Sequence, residues 1–148
     1  MFLRFWLFSL LSFGFMFGQS NRDCPNNFSL TPQTQDCVPE QFVFSITPFQ
    51  GSYLFNDIIV EDVDLETSNC ENPNDCDWVG AFKGDVCVGA QIWDLDTCLN
   101  GACTIVLFGN DGTNEAYMNP NDIPTFKIYD SSANHYYNAT PSEIYAWN

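Results

Sequence analysis

The chain has 148 residues, which is room for one domain, and 45% of them are hydrophobic against 16% charged, so it can form a core. Only four residues are Lys or Arg against 19 Asp or Glu, which gives a net charge of −15. This balance excludes binding to nucleic acid and to anionic membranes, because both require a basic patch.

Residues 1–20 have the pattern of a secretory signal peptide. Arg4 supplies a positive start, residues 5–17 are an apolar run, and Gly18 and Ser20 put small residues at the −3 and −1 positions of a cleavage site. A membrane anchor is the alternative, but the run is shorter than the roughly 20 residues that span a bilayer. We therefore expect a secreted or cell-surface protein that starts at Asn21, carries a charge of −16 after the loss of Arg4, and leaves the membrane when the signal is removed.

The segment 21–40 is rich in loop-forming residues, and short strands separated by turns are predicted after it. Residues 41–47 alternate Phe42, Phe44 and Ile46 with polar residues, which predicts a strand that ends at Pro48. Sustained helical periodicity is missing after residue 20. Further strands are predicted, in chain order, at 53–55, 58–60, 78–82, 86–93, 104–108, 125–129 and 135–137.

The turn pair 84–85 predicts a regular hairpin between the strands 78–82 and 86–93. In that register Gly80 lies opposite Gly89, and Ile92 shares a face with Val79 and Ala81. The two facing glycines leave room for large side chains to lie over bare backbone.

The pair 100–101, Asn-Gly, is preferred for a two-residue type I′ turn. This turn places Cys98 opposite Cys103 at a Cα separation of about 4.5 Å, which allows a disulfide. The same register pairs Trp93 with Phe108 across one hairpin.

Seven cysteines in an exported chain predict further disulfides. Spacing alone does not fix the connectivity, so other pairings remain open, and zinc is disfavoured because no Cys-x-x-Cys occurs. The predicted bridges are Cys98–Cys103, Cys70–Cys76 around a polar loop and Cys24–Cys37 around an N-terminal loop, with Cys87 left as a free thiol in an apolar strand.

Together these patterns predict an all-β fold, an immunoglobulin-like antiparallel β-sandwich over residues 41–148 with a disulfide-tied N-terminal loop at 21–40. The signal peptide, residues 1–20, precedes both parts. Aromatic-rich strands joined by Asn-containing turns fit this class.

Several stretches carry a family resemblance: DWVGAFKGDVCVGA at 77–90, TIVLFGNDG at 104–112, PTFKIYD at 124–130, the tyrosine pair at 136–137, and FQGSYLF at 49–55 as an opening strand. They resemble a β-sandwich repeat module of secreted and cell-surface proteins of Bacteroidota and related marine bacteria, often found beside a type IX secretion sorting domain. The resemblance implies a building block without assigned catalytic residues. Since no sorting domain follows Asn148, we expect either a stand-alone module or part of a longer multi-module protein.

Calcium is the cofactor that the acidic loop 61–77 favours, because clustered carboxylates offer hard oxygen ligands and a divalent cation relieves their repulsion. The candidate ligands are Asp62, Asp64, Asp75 and Asp77. A solvated acidic surface is the alternative, and the loop lacks the EF-hand spacing.

Catalysis is not predicted. A cysteine nucleophile would need Cys87 beside His135, with a carboxylate such as Asp130 to orient the imidazole, and the valines around Cys87 raise the pKa of a thiol instead of lowering it. A glycosidase needs two carboxylates at a set separation, which abundance alone does not indicate.

Aromatic side chains near the C-terminal end suggest a binding role. Tyr136, Tyr137 and Trp147 are candidates for stacking on sugar rings, whereas Trp78 and Trp93 fall within strand patterns and are expected in the core. The predicted function is a non-catalytic secreted or cell-surface module with a structural, adhesive or binding role, whose partner is an extracellular glycan or surface protein. The alternative is a carbohydrate-binding module of an extracellular polysaccharide-degrading system.

Overall fold

The computed structural model describes residues 23–60, 63–64, 70, 72–94, 96, 98 and 101–148, with only the backbone of residues 60, 63, 64 and 73. The predicted signal peptide, residues 61–62, 65–69 and 71 of the acidic loop, and Asn100 lie outside the described residues. The described residues form two 3₁₀ helices, Glu40–Phe42 and Pro73–Asp75, and ten strands. The strands are β1 (Phe28–Leu30), β2 (Cys37–Pro39), β3 (Gln50–Phe55), β4 (Ile59–Val60), β5 (Val63–Asp64), β6 (Asp77–Lys83), β7 (Val86–Trp93), β8 (Cys103–Phe108), β9 (Thr125–Asp130) and β10 (His135–Ala139).

The fold is an all-β sandwich, as the sequence predicts. Its larger layer has the strand order β10-β9-β6-β7 and its smaller layer is the pair β3-β8. Two short pairs, β1-β2 and β4-β5, complete the sheets, and every pairing between these strands is antiparallel.

The inner core lies between the two layers. Val79 and Val88 from the larger layer pack in one cluster with Ile105 and Leu107 of β8. Trp93 belongs to the same cluster and is almost fully buried, as expected for a tryptophan within a strand pattern. Burial of each such side chain contributes about 2 kcal/mol of stability, which makes this cluster the main stabilising element between the layers.

A second core covers the other face of the larger layer. Phe42 is fully buried there, with its ring centroid 5.7 Å from that of Phe82 and 5.5 Å from that of Tyr136. Trp78 and Tyr129 belong to this outer cluster, which the N-terminal segment covers. Strand β6 is therefore buried on both faces, which explains why its sequence is a continuous apolar run instead of an alternating one.

The predicted strand at 41–47 is wrong, because this segment passes around the edge of the larger layer and pairs with no strand. Phe42 lies in the outer cluster, whereas the ring of Phe44 stacks on Phe108 of the smaller layer at 5.5 Å. Side chains and loop carbonyls satisfy its backbone and hydroxyl groups: the Ser45 N–H donates to the Tyr117 hydroxyl, and the Thr47 hydroxyl donates to the carbonyl of residue 109 at 2.8 Å.

The hairpin β6–β7 is not regular. Phe82 pairs with Cys87 as the turn predicts, but Ala81 pairs with Gly89, so Val88 is the extra residue of a bulge. Cys87 therefore points into the outer cluster and Val88 into the inner core. The bulge moves the rest of β7 by one residue, so Gly80 does not pair with Gly89 as predicted. Ile92 packs in the outer cluster, and its predicted place on the same face as Val79 and Ala81 is wrong.

The predicted pairing of Trp93 with Phe108 is also wrong, because β8 pairs with β3 in the other layer and places Phe108 opposite Gln50. Strand β7 belongs to the larger layer and β8 to the smaller one. The two strands cross where Gly89 lies against the main chain of Val106.

Candidate functional site

A groove of about 1100 Å³ opens on one side of the sandwich. It is lined by β3, by the inner face of β9 and β10, and by the C-terminal segment 139–148. Strand β3 forms its wall, since the consecutive residues 51–55 all border it.

The groove exists because the smaller layer is two strands narrower than the larger one. At one side β8 crosses β7 at Gly89. At the other side the rings of Tyr53 and Phe55 in β3 lie 5.8 and 5.1 Å from the ring of Phe126 in β9. Strand β3 pairs only with β8, so within the described part of the chain no strand of the smaller layer lies over β10.

Large apolar side chains surround this groove and are exposed to solvent. Their exposed fractions lie between 59 and 70%, far above what a packed apolar side chain retains. A contiguous exposed apolar patch marks a surface that binds a partner or a ligand, whereas single exposed apolar residues are common. The residues are Leu54, Ile59, Ile123, Ile144 and Tyr145.

The charge of the groove is negative. Asp57 and Glu143 line it, and among the described lining residues there is no Lys, Arg or His. The two described lysines act elsewhere: Lys83 forms a 2.7 Å ion pair with Asp122, and Lys127 lies 4.7 Å from the centre of the Phe82 ring.

The C-terminal segment closes one end of the groove through Trp147. The main-chain N–H of Trp147 donates to the Asp122 carbonyl at 2.8 Å, and the Trp147 carbonyl accepts from the Asn121 N–H at 2.9 Å. The indole is 7% exposed and packs over Gly51 and Gly109, where a Cβ would collide with the ring. Trp147 is therefore a core residue, and the predicted use of its ring as an exposed sugar platform is wrong.

The tyrosines of β10 point to opposite faces of the sheet, as neighbours in a strand must. Tyr136 packs in the outer cluster, with its ring 4.8 Å from that of Tyr129, and its hydroxyl accepts from the Gln41 N–H. Tyr137 lines the groove, with its ring 4.7 Å from that of His135. The predicted stacking set is thus divided, and only Tyr137 of its three members presents a half-buried ring to the groove.

Of the four predicted calcium ligands, the structure describes the side chains of two. Asp77 is buried and accepts hydrogen bonds from the N–H and hydroxyl of Ser131 at 2.8 and 3.1 Å. The same hydroxyl donates to the main-chain carbonyl of exposed Asp75 at 2.8 Å. Asp77 thus fastens the start of β6 to the turn between β9 and β10. Burial raises its pKa.

Asp62 lies outside the described residues, and only the backbone of Asp64 is described. Among the residues that are described, no group of three or more His, Cys, Asp or Glu side chains is placed to hold a metal. Calcium binding by the acidic loop therefore stays a prediction.

The cysteines are joined as Cys24–Cys37, Cys70–Cys76 and Cys98–Cys103, the three pairs that the spacing favours, with Cα separations of 5.5, 5.4 and 4.5 Å. The first bridge ties the N-terminal segment that covers the outer cluster.

Cys87 is unpaired and buried, and its thiol donates to the Gly89 carbonyl. Burial raises the pKa of this thiol to about 12. His135 is exposed on β10, and β9 and β6 separate that strand from β7, so the two side chains stand about 14 Å or more apart. A Cys87–His135 catalytic pair does not form.

The apolar rim of the groove is not among the sites predicted from the sequence. The signal was present, because Ile123 and Ile144 stand in loop segments where polar residues are usual. Only the fold shows that they border the same space as Leu54.

Comparison with protein-family models, with curated proteins and with solved structures gives no match for this chain. Within the described residues, no helix has the length and apolar character needed to span a membrane.

Proposed function

We propose that the protein is a non-catalytic, extracellular β-sandwich module that binds a partner at the cell surface through the groove beside β3. The observation that carries this proposal is the lining of the groove, which combines exposed apolar side chains with the free edge of strand β3. The charged side chains among its described lining residues are Asp57 and Glu143, and both are acidic. Such a lining suits adhesion better than proton transfer or nucleophilic attack.

Two further observations support the extracellular location. The described chain carries three disulfides, which persist in oxidising compartments. The pattern of residues 1–20 is that of a secretory signal. A place within a larger surface protein of a Bacteroidota-like organism rests on the resemblance of residues 77–90 and 124–130 to the repeat module.

The test of this function is localisation and redox state in the producing cells. The full chain is expressed from its own gene, intact cells are labelled with a membrane-impermeant biotin reagent, and the labelled protein is weighed under non-reducing conditions. We expect surface labelling and a mass about 6 Da below that of the reduced chain, because each of the three bridges removes two hydrogens. A cytosolic protein with every thiol reduced would contradict the proposal.

A second candidate is binding of an extracellular glycan in the same groove. The observation that favours it is that the aromatic residues Tyr137 and Tyr145 both line the groove and that Tyr145 is exposed. Sugar rings stack on such aromatic faces. A glycan array tests this role: binding that is lost on Tyr145→Ala and kept on Tyr136→Ala would support it, because Tyr136 faces the opposite side of the sheet.

A further inference from the structure

We propose that the groove receives an extended segment of a partner protein, which adds to the free edge of β3 as a third strand of the smaller layer and carries apolar and basic side chains. This inference rests on the proposed binding function and names the class of partner.

Within the described residues, the smaller layer has no strand where the groove lies. Tyr53 and Phe55 of β3 already contact Phe126 of β9, so the next strand position beyond β3 lies over β10. Strands in one layer are about 4.8 Å apart, and the groove of about 1100 Å³ borders β3 along residues 51–55.

The outer edge of β3 lacks the features that usually protect an edge strand. Natural edge strands are usually protected by charged residues, proline or a bulge. Strand β3, QGSYLF, has no charged residue and no proline, and its ladder with β8 is regular over all six residues. Within the described part of the chain, no main-chain hydrogen bond reaches β3 from an element other than β8. Such an edge is suited to strand addition.

The C-terminal segment does not fill this position. The Tyr53 hydroxyl of β3 donates a hydrogen bond to the Tyr145 carbonyl of this segment at 3.0 Å. Because the donor is a side chain, this bond does not occupy the main-chain groups at the edge of β3. Ile144 and Tyr145 remain exposed at the rim. An incoming strand would cover them together with Leu54, so the exposed apolar rim matches an apolar ligand.

The acidic lining of the groove indicates the charge of the partner segment. Asp57 and Glu143 line the groove, and none of its described lining residues is Lys, Arg or His, which favours basic groups on the partner. A second copy of this chain is disfavoured: the net charge is −15, and removal of residues 1–20 takes away Arg4 and no carboxylate, leaving −16 on each copy. The partner is therefore a protein segment with alternating apolar side chains and several Lys or Arg residues.

The probe is a synthetic ten-residue peptide that alternates Val with Lys, with a fluorescent label, titrated into the full chain secreted by an oxidising host. Two matched peptides serve as controls, one with Glu in place of Lys and one with alternate backbone nitrogens methylated. We expect micromolar binding of the Lys peptide, at least about tenfold weaker binding of both controls, and slowed amide exchange at Ser52–Leu54.

Leu54→Ser removes an apolar rim side chain and is expected to weaken Lys-peptide binding by about tenfold. Val86→Ser is the matched control, because Val86 is exposed in the β6–β7 hairpin outside the groove. The inference would be overturned if the Lys peptide did not bind, or if the N-methylated peptide bound equally well. It would also be overturned if both variants had the same effect, or if a glycan protected β3 from exchange while peptides did not. Surface location and disulfide content are measured separately, so failure here leaves the proposed function standing.

Discussion

Gly89 of β7 lies against the main chain of Val106 in β8, so closely that a Cβ on Gly89 would overlap the Val106 carbonyl oxygen and approach the Cα of Leu107 to 3.2 Å. The contact joins the two layers at the corner where the chain crosses between them. On the other side of the smaller layer β3 lies over β9, and no described strand of that layer covers β10, where the groove opens.

Gly89→Ala is expected to destabilise the protein by about 3 kcal/mol, because a methyl group at this position meets backbone that cannot move aside. Gly80→Ala is the comparison, since the methyl group there meets the Phe42 ring, which can shift, and a loss of about 1 kcal/mol is expected. Urea unfolding followed by tryptophan fluorescence measures both. Equal losses, or a larger loss at Gly80, would contradict the crossing geometry.

Trp147→Ala is expected to cost about 4 kcal/mol, because it removes a buried indole and leaves a cavity beside Gly51 and Gly109. Tyr145→Ala, two residues earlier and exposed, is expected to change stability by less than about 1 kcal/mol. Thermal unfolding of the two variants is the measurement. If Trp147→Ala left the stability unchanged, the indole would belong to the surface, as the sequence suggested.

The sequence was sufficient for the class of fold and for those features that depend on local chemistry. The buried run of β6 and the turn at 84–85 each depend on residues that are consecutive in sequence, and both are present in the structure. The bulge at Val88 could not be predicted, because it depends on Gly89 meeting Val106, which is distant in sequence.

The candidate site shows the same division. Tyr136 and Tyr137 were expected to act together, but neighbours in a strand point to opposite faces of the sheet, so only Tyr137 reaches the groove. The sequence did not show that the face of Tyr136 is covered, because that cover depends on Phe42. The segment 41–47 had a regular alternating pattern, yet its alternate phenylalanines serve two different cores. Alternation predicts which residues are buried, and it does not say against which layer.

The double variant Cys24→Ser/Cys37→Ser is expected to lose about 3 kcal/mol of stability, because the bridge spans 13 residues and restricts the unfolded chain. The pair Cys70→Ser/Cys76→Ser spans six residues and is expected to lose about 2 kcal/mol. Guanidinium unfolding gives both values. The first variant should also expose Trp78 of the outer cluster to acrylamide quenching, and an unchanged quenching rate would show that the N-terminal segment stays in place without its bridge.

Cys87 is expected to resist alkylation in the folded protein. With a pKa raised by burial to about 12, about one thiol in ten thousand is ionised at pH 8, and the thiolate is the reactive form. Mass spectrometry after iodoacetamide treatment should show no modification until denaturant is added. A cysteine introduced by Ser132→Cys on the exposed β9–β10 turn is the positive control, and comparable labelling of both in the folded state would contradict the buried position.

Asp77→Asn tests the sign of a pH effect. Burial raises the pKa of Asp77 in the folded protein, against hydrogen bonds from Ser131 that favour the ionised form. A carboxyl group with a higher pKa in the folded state than in the unfolded chain disfavours folding when it is ionised. The cost is complete above the folded-state pKa and vanishes as the pH falls below the unfolded value of about 3.9.

The asparagine keeps an acceptor for Ser131 and cannot ionise, so the variant should gain stability relative to the native protein at pH 7, and the gain should shrink as the pH approaches about 3.5. Asp75→Asn removes the same charge from an exposed position two residues away and controls for the change in net charge. Urea unfolding across this pH range measures the differences between variant and native protein. A variant that is less stable than the native protein at pH 7, with a deficit that shrinks toward acid pH, would mean that the Ser131 hydrogen bonds outweigh burial and that ionised Asp77 stabilises the turn between β9 and β10.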